Sequence, residues 1–244
     1  MGSATPANLS AAGTAGVVAP PFIAPARSKH QPPSFTPPAV PPSLAQPAPV
    51  TAEFETRARG NARGAGQRKT IMRTAERVHV DLGRGASEWL FVKNAKDPRR
   101  MSATLADHSH RTLVEYDESE LRTLGLGRGW ADLVGLGVEP ETLSGFEATG
   151  RSQSLSGLRF TERRAPANDK GRIRSLWWND EVGVPLRIVA AEDAARTETR
   201  LRNLRRGVDQ ARLRDLREQY PNYKVMDVAD YREVHHDEGH NDSH

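Results

Sequence analysis

Hydrophobic and polar residues alternate with a period of two along several short segments of the chain. In 51–58, small or apolar residues alternate with charged ones, and in 71–82 the apolar Val78, Val80 and Leu82 share one face. The segment 88–93 is apolar on both faces. Alternation of this kind between turn residues is typical of strands in an antiparallel sheet. The further predicted strands are 101–107, 111–116, 146–150, 157–163, 172–178 and 184–189.

Helical signals are fewer and shorter. Asp117 can cap a helix, and Glu120 three residues later completes a capping-box pattern, which predicts a helix start at 117–121. A second short helix is predicted at 130–136. The stretch 191–219 is ambiguous, because it fits both a helical face and, in 197–203, the alternation of a strand. Its length and lack of proline favour the helix on pattern alone.

The first 50 residues have a different composition, since they hold 12 of the 17 prolines. Few of their side chains can offset the entropy cost of ordering, so we predict a disordered, partly polyproline II leader. Two interpretations of its role stay open, a spacer without contacts and a segment that binds a groove in a partner protein. The predicted divisions are the leader 1–50, a β-rich domain 51–232 and a polar, His-rich tail 233–244.

Composition excludes several classes of protein. The 35 Lys and Arg residues are nearly matched by 31 Asp and Glu residues, and acids are interspersed throughout. A specific nucleic-acid interface is therefore not expected, since such surfaces concentrate positive charge. Long apolar runs are missing, so we do not expect the chain to span a membrane. Without cysteine there is no disulfide and no thiolate metal site.

The sequence carries no catalytic signature. There is no Gly-x-Ser-x-Gly elbow, and the glycines in 125–129 lack the Lys and Ser or Thr of a phosphate loop. The acids around Asp117 are explained by helix capping. We therefore predict a protein that is not an enzyme and needs no cofactor.

The order of the elements resembles the outer-membrane lipoprotein carrier superfamily, the LolA-like proteins. The similarity extends from the strand at 51–58 to about residue 206. Its parts are the Thr-Ala-Glu-Arg-Val-His-Val-Asp-Leu strand at 74–82, the pair 89–92 and 111–116, the small-Gly-basic-aromatic entry at 156–160, and the strand–turn–strand at 174–188. The lipobox cysteine of many relatives is absent, no intact signal peptide is visible in 1–18, and the His-rich tail departs from the family pattern.

The resemblance implies a mainly β fold, a curved antiparallel sheet that forms an open half-barrel with a few short helices against its concave face. It also implies that 184–206 is a β-hairpin and not a long helix. In the carrier branch the concave face holds lipoprotein acyl chains, so the expected partner is a lipid or an acylated protein. The bulky apolar candidates for such a groove are Val78, Val80, Leu90, Val92, Leu113, Phe160, Leu176 and Trp178. The other interpretation is that the helices fill the groove and these residues are ordinary core.

Further candidates concern partners and metals. Trp177 and Trp178 are expected on opposite sheet faces, and Trp177 is the candidate for contact with another envelope protein. His108 and His110 are two candidate ligands of a metal site that lacks a clear third ligand. In the tail, His235, His236 and His240 are candidate ligands that would bind a divalent metal loosely. The resemblance implies the periplasm, with the cytoplasm as the alternative. A structural subunit or assembly partner is the second functional hypothesis.

Overall fold

The alternating segments form the strands of one open, curved, twelve-stranded sheet. The computed structural model describes residues 42–59, 66–83, 85–97, 100–126, 129–169, 171–192 and 195–236. The strands are β1 Val50–Arg59, β2 Gln67–Arg73, β3 Arg77–Asp81, β4 Ser87–Lys93, β5 Met101–Asp107, β6 Thr112–Tyr116, β7 Glu147–Leu155, β8 Leu158–Arg164, β9 Ile173–Asn179, β10 Val184–Glu192, β11 Ala195–Arg206 and β12 Lys224–Asp227. The helices are α1 Pro42–Ala45, α2 Glu118–Thr123, α3 Trp130–Val134, α4 Pro140–Gly145, α5 Leu216–Gln219 and α6 Val228–His236.

The sheet consists of two antiparallel meanders that meet at one pair of strands. Its order is β12-β6-β5-β4-β3-β2-β1-β11-β10-β9-β8-β7. The first meander runs from β1 to β6 and the second from β7 to β11, and β1 pairs with β11 in the middle. Only β12 pairs in parallel among the described strands, along β6.

The helices α2, α3 and α4 pack on the concave face. Leu121, Trp130, Val134 and Leu143 from these helices belong to the same buried cluster as the inward-facing strand residues. Helix α2 starts where the sequence predicts, because the capping box is formed. The helices thus supply the second layer that a one-sided apolar sheet needs.

A smaller apolar layer covers the convex face of the first meander. After β11 the chain passes through 207–223 and buries Leu213 and Leu216 against Leu90 and Leu113. Alternation explains this arrangement, because neighbouring residues of a strand point to opposite faces. Strands β4, β5 and β6 are therefore covered on both faces.

Several boundaries differ from the sequence prediction. The segment 71–82 is not one strand, because a turn at 74–76 separates β2 from β3. Helix α4 was not predicted, and 191–219 contains no long helix. The hairpin at 184–206 is confirmed, since β10 pairs with β11. Residues 42–50, which the composition assigns to the leader, contribute α1 and the first residue of β1, with Leu44 and Val50 in the core.

Candidate functional site

The eight predicted groove residues do not share one surface. Five of them lie in the large core cluster or against it, namely Val78, Val80, Phe160, Leu176 and Trp178. The other three, Leu90, Val92 and Leu113, lie in the smaller cluster on the convex face. The prediction merged two faces because 88–93 is apolar on both, and alternation alone does not assign such a strand to one face.

The concave face under the helices is filled by side chains. Leu176 and Trp178 are each 0% exposed. Phe160 is equally buried, but its neighbour Thr161 pairs with Trp178, so the Phe160 side chain points to the other face of the sheet. Three surface cavities among the described residues have volumes of about 790, 510 and 360 Å³. Val92 is the only predicted groove residue that lines one of these three, and the smallest is lined in part by Phe54 and Lys69. The concave face is therefore closed in this structure.

Arg73 is the most unusual residue of this closed face. It follows Ile71 on the concave side of β2 and is 0% exposed. Its guanidinium donates hydrogen bonds to the carbonyl oxygens of Val134, Val182 and Gly183, the last at 2.7 Å. Its Nε has no partner among the described residues. Burial lowers the pKa of Arg73 to about 10.

The partners of Arg73 come from separate parts of the chain. Val134 ends α3, while Val182 and Gly183 form the turn between β9 and β10. A longer contact of 3.4 Å reaches the carbonyl of Ala48, just before β1. No carboxylate neutralises this charge among the ion pairs of the described residues. One guanidinium thus ties α3 and two loops to the sheet through backbone groups alone.

A second cation lies on the same face of β2. Lys69, Ile71 and Arg73 alternate along the strand, and Lys69 stands opposite Phe54 of β1. Phe54 is a member of the concave core, so the register places Lys69 on the concave side. Burial lowers the pKa of Lys69, although its side chain keeps some exposure.

The convex face holds a buried polar cluster centred on Glu88. Nε2 of His79 lies 2.6 Å from Oε2 of Glu88, and the Tyr220 hydroxyl donates to Oε1. Nε2 of His108 lies 3.4 Å from the same Oε1. Burial would raise the pKa of Glu88, but the hydrogen bonds from His79 and Tyr220 outweigh it and hold this pKa below its usual value. The pKa of Tyr220 is raised by burial and by the carboxylate.

This cluster fastens 207–223 to the sheet. Tyr220 stacks on Tyr223, whose hydroxyl lies 3.0 Å from Nδ1 of His108. Nη1 of Arg212 lies 3.7 Å from both Asp81 and Glu88. Each of these side chains has a partner within the fold, although Nδ1 of the buried His79 has none among the described residues, and we assign the cluster to structure.

The predicted metal ligands are separated. His108 belongs to the Glu88 cluster, whereas Nδ1 of His110 lies 2.7 Å from Asp107. The hydroxyls of Ser109 and Tyr231 also bond to Asp107 and hold its pKa below the usual range against the effect of burial. Within the described residues no three His, Asp or Glu side chains are grouped as metal ligands would be. His235 and His236 end α6, but their side chains lie outside the described part, as does all of His240.

Trp177 and Trp178 alternate as predicted, with different surroundings. Trp178 is completely buried, and its Nε1 has no hydrogen-bond partner among the described residues. Trp177 is partly buried and packs against the core. Partner contact by Trp177 stays a prediction.

Sequence reasoning missed Arg73, Lys69 and the Glu88 cluster. One face of β2 carries Lys69, Ile71 and Arg73, and the other carries Arg68, Thr70 and Met72. Neither face is therefore purely apolar. No local pattern marks which of these cations is buried.

Comparison with known proteins gives little beyond this geometry. No family model and no curated protein matches the chain. PNGF-II aligns at 9% identity and a TM-score of 0.41, over 77% of this chain and 33% of that one. MucB in complex with MucA aligns at 12% and 0.38, over 68% and 53%. A DUF1329 family protein from Desulfovibrio piger aligns at 8% and 0.33, over 71% and 92%.

The chain spans about a third of PNGF-II and about half of MucB. At these TM-scores the similarities carry no argument about function. Among the described helices, none has the length and apolar character needed to cross a membrane.

Proposed function

We propose that this chain is a non-enzymatic binding protein of the bacterial cell envelope. Its half-barrel takes up a lipid acyl chain, or a similar apolar segment, between the concave sheet face and helices α2–α4. The bound form is an opened state of the closed face described above. The observation that carries the proposal is the carbonyl-bound guanidinium of Arg73.

A buried cation stabilises a fold less than well-packed apolar side chains do. Taking a guanidinium out of water costs several kcal/mol, and well-packed apolar residues often stabilise a core more than a buried charge does. Among the described residues Arg73 bonds to carbonyl oxygens only, and its Nε has no partner there. Such a contact favours closure that can be reversed, because the carbonyls and the guanidinium can both regain water when α3 lifts.

The gain from an acyl chain is large enough to drive the opening. Each buried methylene contributes ~0.8 kcal/mol, so a chain of ~15 methylenes contributes roughly 12 kcal/mol before the costs of association. Val134 of α3 and Val114 of β6 belong to the same buried cluster, so opening of that cluster exposes apolar side chains that the ligand then covers. The closed state needs no groove of its own, since the ligand replaces contacts that the helices make.

A pair of adjacent residues allows a direct test. Val114 faces the concave core and Leu113 the convex layer, and both are 0% exposed. The chain has no native cysteine, so Val114→Cys and Leu113→Cys each carry a single thiol. We expect oleate, at a concentration that does not saturate the protein, to change the rate of maleimide labelling of Cys at 114. The rate for Cys at 113 should stay the same.

Direct binding is measured in parallel. Native mass spectrometry of the purified full chain with oleate should show a one-to-one adduct, and a fluorescent fatty acid should be displaced by oleate. Absence of both signals, with identical labelling at 113 and 114, would refute the proposal. Equal acceleration at both positions would indicate general unfolding and would also count against it.

One observation favours the second candidate, a structural subunit or assembly partner. Strand β7 ends the sheet, and every residue from Glu147 to Ser154 is exposed. An exposed edge can accept an extended strand from another protein. Size-exclusion chromatography with light scattering of the full chain and of Ser152→Pro and Gln153→Pro variants tests this for self-association. The two positions are adjacent, so in one of the two variants the proline removes an N–H that points outward from the edge. If every sample has the mass of the monomer, the edge does not pair with a second copy.

A further inference from the structure

We infer that the ligand is anionic, a long-chain fatty acid whose carboxylate binds Lys69. This inference rests on the proposed function, because it names the headgroup of the ligand that the half-barrel takes up. The site lies at the partly exposed end of the concave face, away from the helices. It is formed by Lys69 on β2, Thr56 on β1 and Thr199 on β11.

The concave side of β2 carries two cations with different environments. Arg73 at one end is completely buried and bound by carbonyl oxygens, so it is not available to a ligand headgroup. Lys69 lies four residues earlier, which is about 13 Å along a strand. Ile71 stands between them on the same face and belongs to the core. This face of β2 therefore leads from the accessible ammonium of Lys69 to the apolar interior.

Lys69 has no anionic partner among the described residues. No hydrogen bond or ion pair joins its ammonium to any of them, whereas the arginines on the opposite face are paired. Arg57 and Arg202 both bond to Glu55, and Arg187 bonds to Glu198. The residues next to Lys69 on its own face are apolar or carry hydroxyls, as Phe54 and Thr56 show. An unpaired ammonium in such surroundings favours a bound anion.

A pair of hydroxyls lies beside this ammonium. Thr56 and Thr199 face each other across β1 and β11, and their Oγ1 atoms are 2.9 Å apart. One hydroxyl donates to the other, so the second keeps its own hydrogen for a ligand. Thr56 is the diagonal neighbour of Lys69, within reach of a long side chain. The ammonium and one free hydroxyl match the two oxygens of a carboxylate.

The surroundings also suit the beginning of an acyl chain. Ile188 stands opposite Thr199, and Val80 stands opposite Ile71. Both are only partly buried and pack against the large core cluster. A chain that starts at Lys69 thus passes from these partly exposed apolar residues toward the fully buried ones under α3. A fatty acid fits this site, because the one available ammonium on the described part of this face matches one carboxylate.

Two probes of equal chain length separate the headgroup from the tail. Oleate and oleyl alcohol compete with a fluorescent fatty acid on the full chain, and we expect the wild type to prefer oleate by about tenfold, since hydrogen bonds between charged groups are stronger than those between neutral ones. Lys69→Met should abolish that preference and leave the affinity for oleyl alcohol unchanged. Arg68→Met is the matched control, because Arg68 is exposed on the other side of the same strand, and it should behave as the wild type.

The outcomes distinguish this inference from the proposed function. If neither probe binds, the proposed function fails, and the carboxylate site with it. If both bind with equal affinity, the half-barrel function stands and the carboxylate site is wrong. A preference for oleate that persists in Lys69→Met, or that is lost equally in Arg68→Met, would also overturn the assignment of Lys69. Lys69→Arg should keep the preference.

Discussion

His79 and Glu88 form a hydrogen-bonded pair that is almost completely removed from solvent. Nε2 of His79 lies 2.6 Å from Oε2 of Glu88, and the two side chains are 0% and 2% exposed. The pair sits under the segment 207–223, which it fastens to the sheet through Tyr220. Because a buried carboxylate is sensitive to the loss of one of its partners, this contact dominates several expectations about stability.

The first prediction concerns pH. The pKa of Glu88 is held below its ordinary value of 4.5, because its hydrogen bonds outweigh the effect of burial. A carboxyl with a depressed folded-state pKa stabilises the fold above the unfolded pKa and loses that contribution as the pH falls through the folded value. Glu88→Gln should therefore be less stable than the wild type by about 1.5–3 kcal/mol at neutral pH, and the difference should shrink below pH 4.5. Urea unfolding at several pH values measures it, and a difference that does not vary with pH would contradict this origin.

The second prediction separates two stacked tyrosines. The Tyr220 hydroxyl donates to the buried Glu88, whereas the Tyr223 hydroxyl meets the more exposed His108. Tyr220→Phe leaves a buried carboxylate oxygen short of a donor, so we expect a loss of about 1–3 kcal/mol, against about 1 kcal/mol or less for Tyr223→Phe. Hydrogen exchange should rise at the amide of Tyr220, which bonds to Leu216. Equal losses in both variants would argue against a special role for Glu88.

The third prediction tests how firmly 207–223 belongs to the fold. Leu216 is 0% exposed and Leu124 is 42% exposed, so the same substitution has different consequences at the two positions. Leu216→Ala should cost about 2–5 kcal/mol by loss of burial and creation of a cavity. Leu124→Ala should stay within about 0.5 kcal/mol. Denaturant unfolding of both variants measures this, and a mild effect at Leu216 would mean that the segment detaches easily.

The fourth prediction connects Arg73 with closure of the concave face. Arg73→Met removes the donors that bind Val134, Val182 and Gly183. In a Val114→Cys background this change should accelerate maleimide labelling by about tenfold or more, because charge-assisted hydrogen bonds oppose the opening. In a Leu113→Cys background the rate should not change. Acceleration at both positions would mean global destabilisation and would contradict a local role.

The sequence predicted the sheet better than it predicted the site. Alternation located β1 and β4, and the capping box located the start of α2 at Asp117. The turn at 74–76 was missed because it has neither glycine nor proline, and it is closed by the Thr74 hydroxyl instead. The choice between helix and strand at 197–203 required the resemblance, because both periods fit the same residues.

The site could not be read from the sequence for a physical reason. Burial of Arg73 depends on carbonyl groups of Val134 and Gly183, which lie 61 and 110 positions away. Glu88 is bound by Tyr220 from a segment 132 residues later. A local window contains none of these partners. The grouping of Leu90 with Val78 in one groove was wrong for the same reason, since the element that covers each face lies far along the chain.

The seam between β1 and β11 has a consequence for synthesis. The partners Thr51 and Arg205 are separated by more than 150 positions, so the innermost strand of the sheet stays half-paired until the residues up to about 206 have left the ribosome. Closing so long a loop is slow compared with forming hairpins. During that interval the free edge of β1 can pair with strands of other proteins, which makes this edge prone to aggregation in the nascent chain. A chaperone that protects the emerging chain would therefore act best before residue 206 appears.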